Sequence, residues 1–289
     1  MDSWKLSVAP VGMADGTVLQ VARVEPEGLL KGVIQVLHGF GEHHGSYHAL
    51  AGFFAEHGYA CVIHDQRGHG SMPGLTGRAR KRKLGVLRTY DCFLDDVGTL
   101  RERISQWYPG LPVYLYGHSM GGNVALNYLI KRTQREYERV VVETPWLRLH
   151  TPKPKPLVWA ARFLGKLSPS FAVTDKLNVD AISRDPGRVA EIKADPYYHN
   201  RISFRLFTQI TDAGAYSIAN AEKLTLPTLL FGAGDDRIVS TGAIVEFAEA
   251  AGENVTLYTL PKGRHALHSD AEPTKGEMFQ RALAFLNAE

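Results

Sequence analysis

The stretch that most constrains this chain is residues 111–130. An apolar run, LPVYLY (Leu111 to Tyr116), leads straight into Gly117-His118-Ser119-Met120-Gly121-Gly122, and then into a helix-forming run, NVALNYLI (Asn123 to Ile130). A strand that becomes a helix within so few residues forces the residue at the turn, Ser119, into strained backbone angles. Small residues two positions before and after it let the turn close. The hydroxyl then stands clear at the end of a sheet, and the following helix aims its N-terminal N–H groups at any negative charge that develops beside it. Glycine fills 28 of 289 positions, so G-x-S-x-G alone says little. The strand before it and the helix after it make the pattern specific and make Ser119 a candidate nucleophile.

A strand-then-helix unit of this kind needs a sheet to sit in, and the rest of the chain supplies one. Val18 to Val24, Gly32 to Leu37 (GVIQVL), Tyr59 to Ile63 (YACVI), Arg139 to Val142 (RVVV), Pro227 to Phe231 (PTLLF) and Val255 to Leu260 (VTLYTL) read as strands. Ala49 to His57, Tyr90 to Trp107 and Phe279 to Leu286 read as helices, the second by the spacing of Phe93, Val97, Leu100, Ile104 and Trp107. This alternation predicts an α/β fold with a mostly parallel central sheet flanked by helices. From Pro145 to Ala221 the rhythm stops and prolines accumulate, with no clean strand. A length of 289 residues fits one large domain with an inserted subdomain. The expected layout is core over 1–145, a helical cap over 146–222, and core again over 223–289.

An acyl-transfer serine needs an oxyanion site, a base and an acid. His38-Gly39-Phe40-Gly41 follows an early strand, which points to the backbone N–H groups of Phe40 and Met120 as the oxyanion donors. In this arrangement the chain order is Ser, acid, His. After the strand at Thr228 to Phe231, Asp235 and Asp236 compete, and the D-R-I-V pattern favours Asp236. After the last strand, His265 and His268 compete, and His265 is nearer the strand end, with His268 expected to open the final helix. His38, His69 and His118 sit near the site without a proton-transfer role, whereas His43, His44, His57 and His150 read as solvated or structural. No His/Cys/Asp cluster has convincing metal spacing, and this chemistry needs no cofactor.

HGFGEHHGSY (His38 to Tyr47), HDQRGHGSMPG (His64 to Gly74), GHSMGG (Gly117 to Gly122), DDRIV (Asp235 to Val239) and RHALHSD (Arg264 to Asp270) resemble, in order, motifs of the monoacylglycerol lipase and lysophospholipase family of α/β-hydrolases. DPYYHNRISFRL (Asp195 to Leu206) is similar to that family's cap region. The resemblance implies Ser119 as nucleophile, Asp236 as the orienting acid, His265 as base, and Phe40 and Met120 as oxyanion donors. Gly39, His118, Trp146 and Phe163 are expected to contact the substrate. The implied reaction is hydrolysis of a carboxylic ester, a monoacylglycerol or a lysophospholipid-like single-chain lipid, through an acyl-enzyme. Two departures bear on specificity. Glu143-Thr144-Pro145-Trp146 replaces the small residues many relatives carry before the proline, and Phe40 is bulkier than the expected alanine. A short-chain or aromatic carboxylesterase remains a second reading. A peptidase of the proline-iminopeptidase type would need a site for a free amino terminus, and no acidic cluster in the insertion offers an obvious one. A non-catalytic binding protein would normally have lost a triad member, and all three have candidates here.

Net charge of +3 with 44% hydrophobic residues asks for no nucleic-acid partner. The sequence contains no run of the ~20 apolar residues a membrane span needs, and Met1 to Gly16 shows no signal-peptide pattern, so a cytoplasmic location is expected. Cys61 and Cys92 read as buried reduced thiols. Within the insertion, PLVWAARFLGKL (Pro156 to Leu167) is a helix apolar nearly all round, too short to cross a bilayer. Packing on the core as the wall of an acyl pocket is the leading reading. The other is peripheral contact with a membrane, favoured by Lys153, Lys155, Arg162 and Lys166. The basic run Arg78 to Lys83 reads as a solvated loop, with Asp95-Asp96 and Glu102 as available counter-charges. Oligomeric state is not legible.

Overall fold

The computed structural model describes residues 3–174 and 178–288. In chain order the strands are β1 (Trp4–Gly12), β2 (Val18–Pro26), β3 (Gly32–Leu37), β4 (Tyr59–His64), β5 (Val113–His118), β6 (Val140–Glu143), β7 (Ala172–Thr174), β8 (Arg201–Ser203), β9 (Thr228–Ala233) and β10 (Val255–Leu260). The helices are α1 (His48–Glu56), α2 (Gly77–Lys83), α3 (Asp91–Trp107), α4 (Met120–Lys131), α5 (Lys155–Leu167), α6 (Pro186–Ala194), α7 (Phe204–Ala219), α8 (Thr241–Ala251) and α9 (Thr274–Leu286). Eight strands form one sheet in the order β1-β2-β4-β3-β5-β6-β9-β10. β1–β2 and β2–β4 pair antiparallel, and every later pair is parallel.

The parallel strands bury both faces, which is why they read as continuous apolar runs rather than as alternating ones. On β4, Ala60 and Val62 face a core shared with α3, α4 and α8, whereas Cys61 and Ile63 face a second core under α1 and α9. That two-residue period puts helices on both sides of the sheet. Between β6 and β9 lie α5, α6, α7 and a two-stranded antiparallel β7–β8 sheet whose strands flank α6 in sequence. Residues 146–222 are thus largely helical, but not without strands as expected. β7 and β8 are three residues each, too short to leave a periodic signature.

Other differences have similar causes. β1 leaves no strand signature because it is an edge strand with six of its nine residues exposed. α8 is a further helix beyond those the pattern predicts, and the last helix begins at Thr274 rather than Phe279, leaving His268 in a single 3₁₀ turn. The basic run forms the short helix α2, with no buried residue. Two of its three expected counter-charges are taken: Asp96 binds Arg67 at 2.6 Å and Asp95 binds Arg132 at 3.0 Å. Cys61 is buried, but Cys92 is only partly so.

α5 corrects the packed-helix reading. Only Ala161 and Gly165 are buried, and Gly165 meets the α7 backbone at Phe204 and Arg205. Trp159 is 77% exposed, Phe163 62% and Leu167 67%.

Candidate active site

Ser119 caps β5 and opens α4 with φ +53° and ψ −114°, a conformation costing on the order of 1–3 kcal/mol for a residue with a side chain. Three backbone hydrogen bonds hold it. Its N–H donates to Glu143 O at 3.0 Å, and its carbonyl accepts from Asn123 N and Trp146 N, each at 2.9 Å. Close packing explains the glycines. A Cβ on Gly117 would lie 2.6 Å from Gly121 O, and one on Gly121 would collide with the Leu37 carbonyl. The first substitution would force the strand and helix of the elbow apart, and the second would push the elbow away from β3.

The loops that follow β9 and β10 meet at this serine. His265 Nε2 lies 2.8 Å from Ser119 Oγ, and His265 Nδ1 lies 2.9 Å from Asp236 Oδ2. The other Asp236 oxygen accepts from Ile238 N at 2.8 Å and Val239 N at 2.9 Å, so the carboxylate is fixed in the plane of the imidazole. All three residues are buried. Asp235 points the other way, to Arg237 at 3.0 Å and Arg264 at 3.5 Å on the surface, and those cations lower its pKa, Arg237 first. His268, the competing histidine, bonds Glu143 instead of Ser119.

The loop after β3 brings Phe40 beside the serine. Gly39 N–H is already donated to Glu42 Oε2 at 2.8 Å and to Tyr47 OH at 3.0 Å. The next N–H in the loop is that of Phe40, a residue that lines the same cavity as Ser119. His38 is a brace: its Nδ1 pairs with Gly39 O at 2.7 Å and its Nε2 accepts Gln66 N–H at 2.8 Å. Burial, with the nearby His69, holds its pKa well below the usual range, and burial lowers that of His69 to about 4.

A cavity of about 410 Å³ opens over Ser119 and His265, within the ~300–1,000 Å³ typical of small-molecule sites. Gly39, Phe40, His118 and Trp146 lie on its wall, as do Leu157 and Ala161 of α5 and Phe207 of α7. Phe163 does not. Ala161 faces inward, and Leu157, one helical turn before it, touches the cavity at its rim while staying 53% exposed, whereas 159, 163 and 167 share the outer face. Its wall also carries two cations, Lys153 and Arg237. Phe40 narrows it, its ring packing edge-on against Trp146 and His199.

Beneath the serine lies a buried polar cluster the sequence does not disclose: Glu42, Tyr47, Tyr116, His118, Glu143 and His268. Glu143 does not reach the cavity wall, contrary to a role in shaping the pocket floor. It accepts from Tyr116 OH, from His268 N at 3.1 Å and from His268 Nδ1 at 3.0 Å. Burial alone would raise its pKa, but the adjacent His268 and His118 hold it at about 2. Glu42, His118 and His268 stand close enough to share a metal ion, as do His43, His44 and Asp65. In both groups donors are already engaged inside the protein, Glu42 with Tyr47 and Gly39, Asp65 with His44 and Ser71. No metal role is assigned to either.

A mostly parallel sheet with a strained strand–Ser–helix elbow, and loops from later strands bearing an acid and a histidine, defines an α/β-hydrolase. The model of the Hydrolase_4 family, described as serine aminopeptidase, S33, matches residues 29–272, and the chain belongs to that family. Among characterised relatives, a monoacylglycerol lipase of Mycolicibacterium smegmatis is 33% identical over 84% of each chain. Phospholipase YtpA of Bacillus subtilis is 28% identical over 88% of this chain and 94% of its own. Of solved structures, a soluble variant of the monoglyceride lipase from Saccharomyces cerevisiae, in complex with a substrate analog, superposes with a TM-score of 0.83. It is 24% identical, and the match covers 99% of this chain and 96% of that one.

Proposed function

We propose that the chain hydrolyses esters of single-chain lipids, monoacylglycerols first, through an acyl-enzyme on Ser119. The observation that carries this reading is the Ser119–His265–Asp236 relay at the bottom of a 410 Å³ cavity walled largely by apolar side chains of the insertion. His265 Nε2 takes the Ser119 proton as Oγ attacks the ester carbonyl. Asp236 keeps the Nδ1–H tautomer and stabilises the imidazolium. The Phe40 and Met120 N–H groups receive the oxyanion. His265 then protonates the leaving alcohol, and water repeats the sequence to release the acid. Residues 146–222 act as the cap, admitting one acyl chain and excluding three.

An aminopeptidase reading would require a carboxylate to hold the substrate's ammonium. Among the described residues on the cavity wall the single acid is Glu42, and its Oε2 is already engaged by Gly39, Tyr47 and His118. Lys153 and Arg237 instead offer positive charge, which favours a lysophospholipid headgroup as the second substrate class. The kinship to a monoacylglycerol lipase and a phospholipase supports both. Short-chain esters are the competing class. A kcat/KM series over monoacylglycerols of increasing chain length, a triacylglycerol and short p-nitrophenyl esters decides: a maximum at acetate or butyrate would replace the lipid reading with a general carboxylesterase.

The outer face of α5 supports peripheral membrane contact. Leu157, Trp159, Phe163, Leu164 and Leu167, followed by Phe171, form an exposed apolar strip beside the cavity. No helix among the described residues is long and apolar enough to cross a membrane. A cytoplasmic enzyme that visits a bilayer surface fits this face and two unpaired thiols.

A further inference from the structure

The catalytic relay is not the only buried charge system here. His118 immediately precedes the nucleophile, and its ring lies 5.0 Å from that of His265. His118 Nε2 is 3.3 Å from the His265 carbonyl oxygen, which can only accept, so Nε2 carries a proton. His118 Nδ1 is 2.7 Å from Tyr47 OH and 3.3 Å from Glu42 Oε2. Tyr47 directs its own proton to Glu42 at 2.6 Å. A bare Nδ1 would therefore face two oxygen lone pairs, one of them on an acceptor-only carboxylate. The donor count calls for a proton on both nitrogens.

We propose that His118 is a positioning residue for the base: a buried imidazolium, held between Glu42 and Glu143, that pins the His265 main chain to the strand bearing Ser119. Thr144 Oγ1 donates to the same His265 carbonyl at 2.7 Å, from a backbone at φ +39° that directly follows Glu143. Glu143 also binds His268 N and Nδ1, fixing the loop three residues beyond the base. The loop is thus clamped at the carbonyl of His265 and again at His268, by His118 of β5, Glu143 of β6 and Thr144 directly after it. Glu143, the residue that departs from the family pattern, is what gives the cation its second carboxylate.

The groups facing His118 come from every element around it: Glu42 and Tyr47 from the β3–α1 segment, Tyr116 from β5, Glu143 from β6, and His265 and His268 from the β10–α9 loop. Burial alone would lower its pKa, but Glu143 and Glu42 reverse that and raise it to about 9. It stays charged through neutral pH and gives up its proton near pH 9, where the clamp loosens.

This inference rests on the serine-hydrolase reading, and stoichiometric fluorophosphonate labelling of Ser119 in the unmodified protein tests that reading by itself. The positioning role is tested by pH profiles of kcat/KM, corrected for spontaneous hydrolysis, together with side-chain ¹⁵N spectra of the histidines. The unmodified protein is expected to show two protonated ring nitrogens on His118 at pH 7 and an alkaline limb near pH 9. His118→Gln should abolish the alkaline limb. Glu143→Gln, which removes the charge and leaves one acceptor oxygen in place of two, should move the alkaline limb down. A His118 with one bare nitrogen at pH 7 overturns the proposal without any variant. So do variants whose rates fall while the alkaline limb stays in place, the behaviour of a purely structural residue.

Discussion

Asp236→Asn is the sharpest single test of the relay. The Asp236 oxygen that accepts from Ile238 N and Val239 N fixes the side-chain orientation. An asparagine would keep its carbonyl at that position, because only an oxygen can accept those two N–H groups. Its NH₂ would then occupy the place of Oδ2, 2.9 Å from His265 Nδ1. Two donors cannot face each other, so the imidazole must move its proton to Nε2. That nitrogen, 2.8 Å from Ser119 Oγ, would then donate to the serine instead of accepting from it. In a serine protease triad the same tautomer error lowers kcat by about 10⁴, equivalent to about 5.5 kcal/mol of transition-state stabilisation, and a loss of that order is expected here. Asp235→Asn, by contrast, removes exposed ion pairs to Arg237 and Arg264 and should leave kcat within about twofold. The assay is kcat and kcat/KM on a monoacylglycerol for both variants, with melting temperatures to exclude unfolding. An Asp236→Asn enzyme within tenfold of the parent, or an Asp235→Asn enzyme the more impaired, refutes the assignment.

Ser119→Ala should abolish turnover and fluorophosphonate labelling while its melting temperature stays close to that of the parent, since alanine keeps the Cβ and the same backbone conformation, as circular dichroism would record. Trp159→Ala with Leu167→Ala should weaken binding to phosphatidylglycerol-containing vesicles by at least roughly a hundredfold in a sedimentation assay, each side chain contributing ~1.5–3 kcal/mol on burial in lipid, while hydrolysis of a monomeric short-chain ester stays unchanged. His64 and His69 are buried, and desolvation lowers each pKa to about 4. Protonation therefore favours the unfolded chain, where a histidine titrates near ~6.5. Stability is full above that value and falls between pH ~6.5 and ~4, by at most about 3 kcal/mol per residue, so urea midpoints should drop between pH 7 and pH 5.

The sheet and the relay are legible because each element carries a local signature. β3, β4, β5 and β9 are buried on both faces, which writes them as unbroken apolar runs. The elbow needs glycines where Gly121 meets the Leu37 carbonyl, which writes it as a motif. In sequence, the choice between Asp235 and Asp236 rests on the pattern that follows them, and the geometry gives it a cause: the residue whose carboxylate is bound by the N–H groups two and three positions on, Ile238 and Val239, is the one turned inward. Elements whose neighbours are distant in sequence are not legible. β1 reads as polar because most of it faces solvent, and β7 finds its partner β8 only 29 residues later.

The orientation of α5 shows why composition cannot decide between a buried helix and a lipid-facing one. Twelve residues, apolar nearly all round, satisfy either account. What decides is the partner. α7 presents a backbone close enough that only Gly165 and Ala161 fit against it, so the small residues turn inward and the aromatic ones are left outside. The same contact excludes Phe163 from the cavity and gives Leu157 its place there. Specificity for the acyl chain should accordingly respond to the size of residues 157 and 161 and be indifferent to residue 163. Ala161→Leu should shorten the preferred chain, because added volume can go only into the cavity or against α7. Phe163→Ala should change vesicle binding without changing that preference. A chain-length profile on micelle-free substrate separates the two, and a Phe163→Ala enzyme with an altered profile would refute this account of the helix.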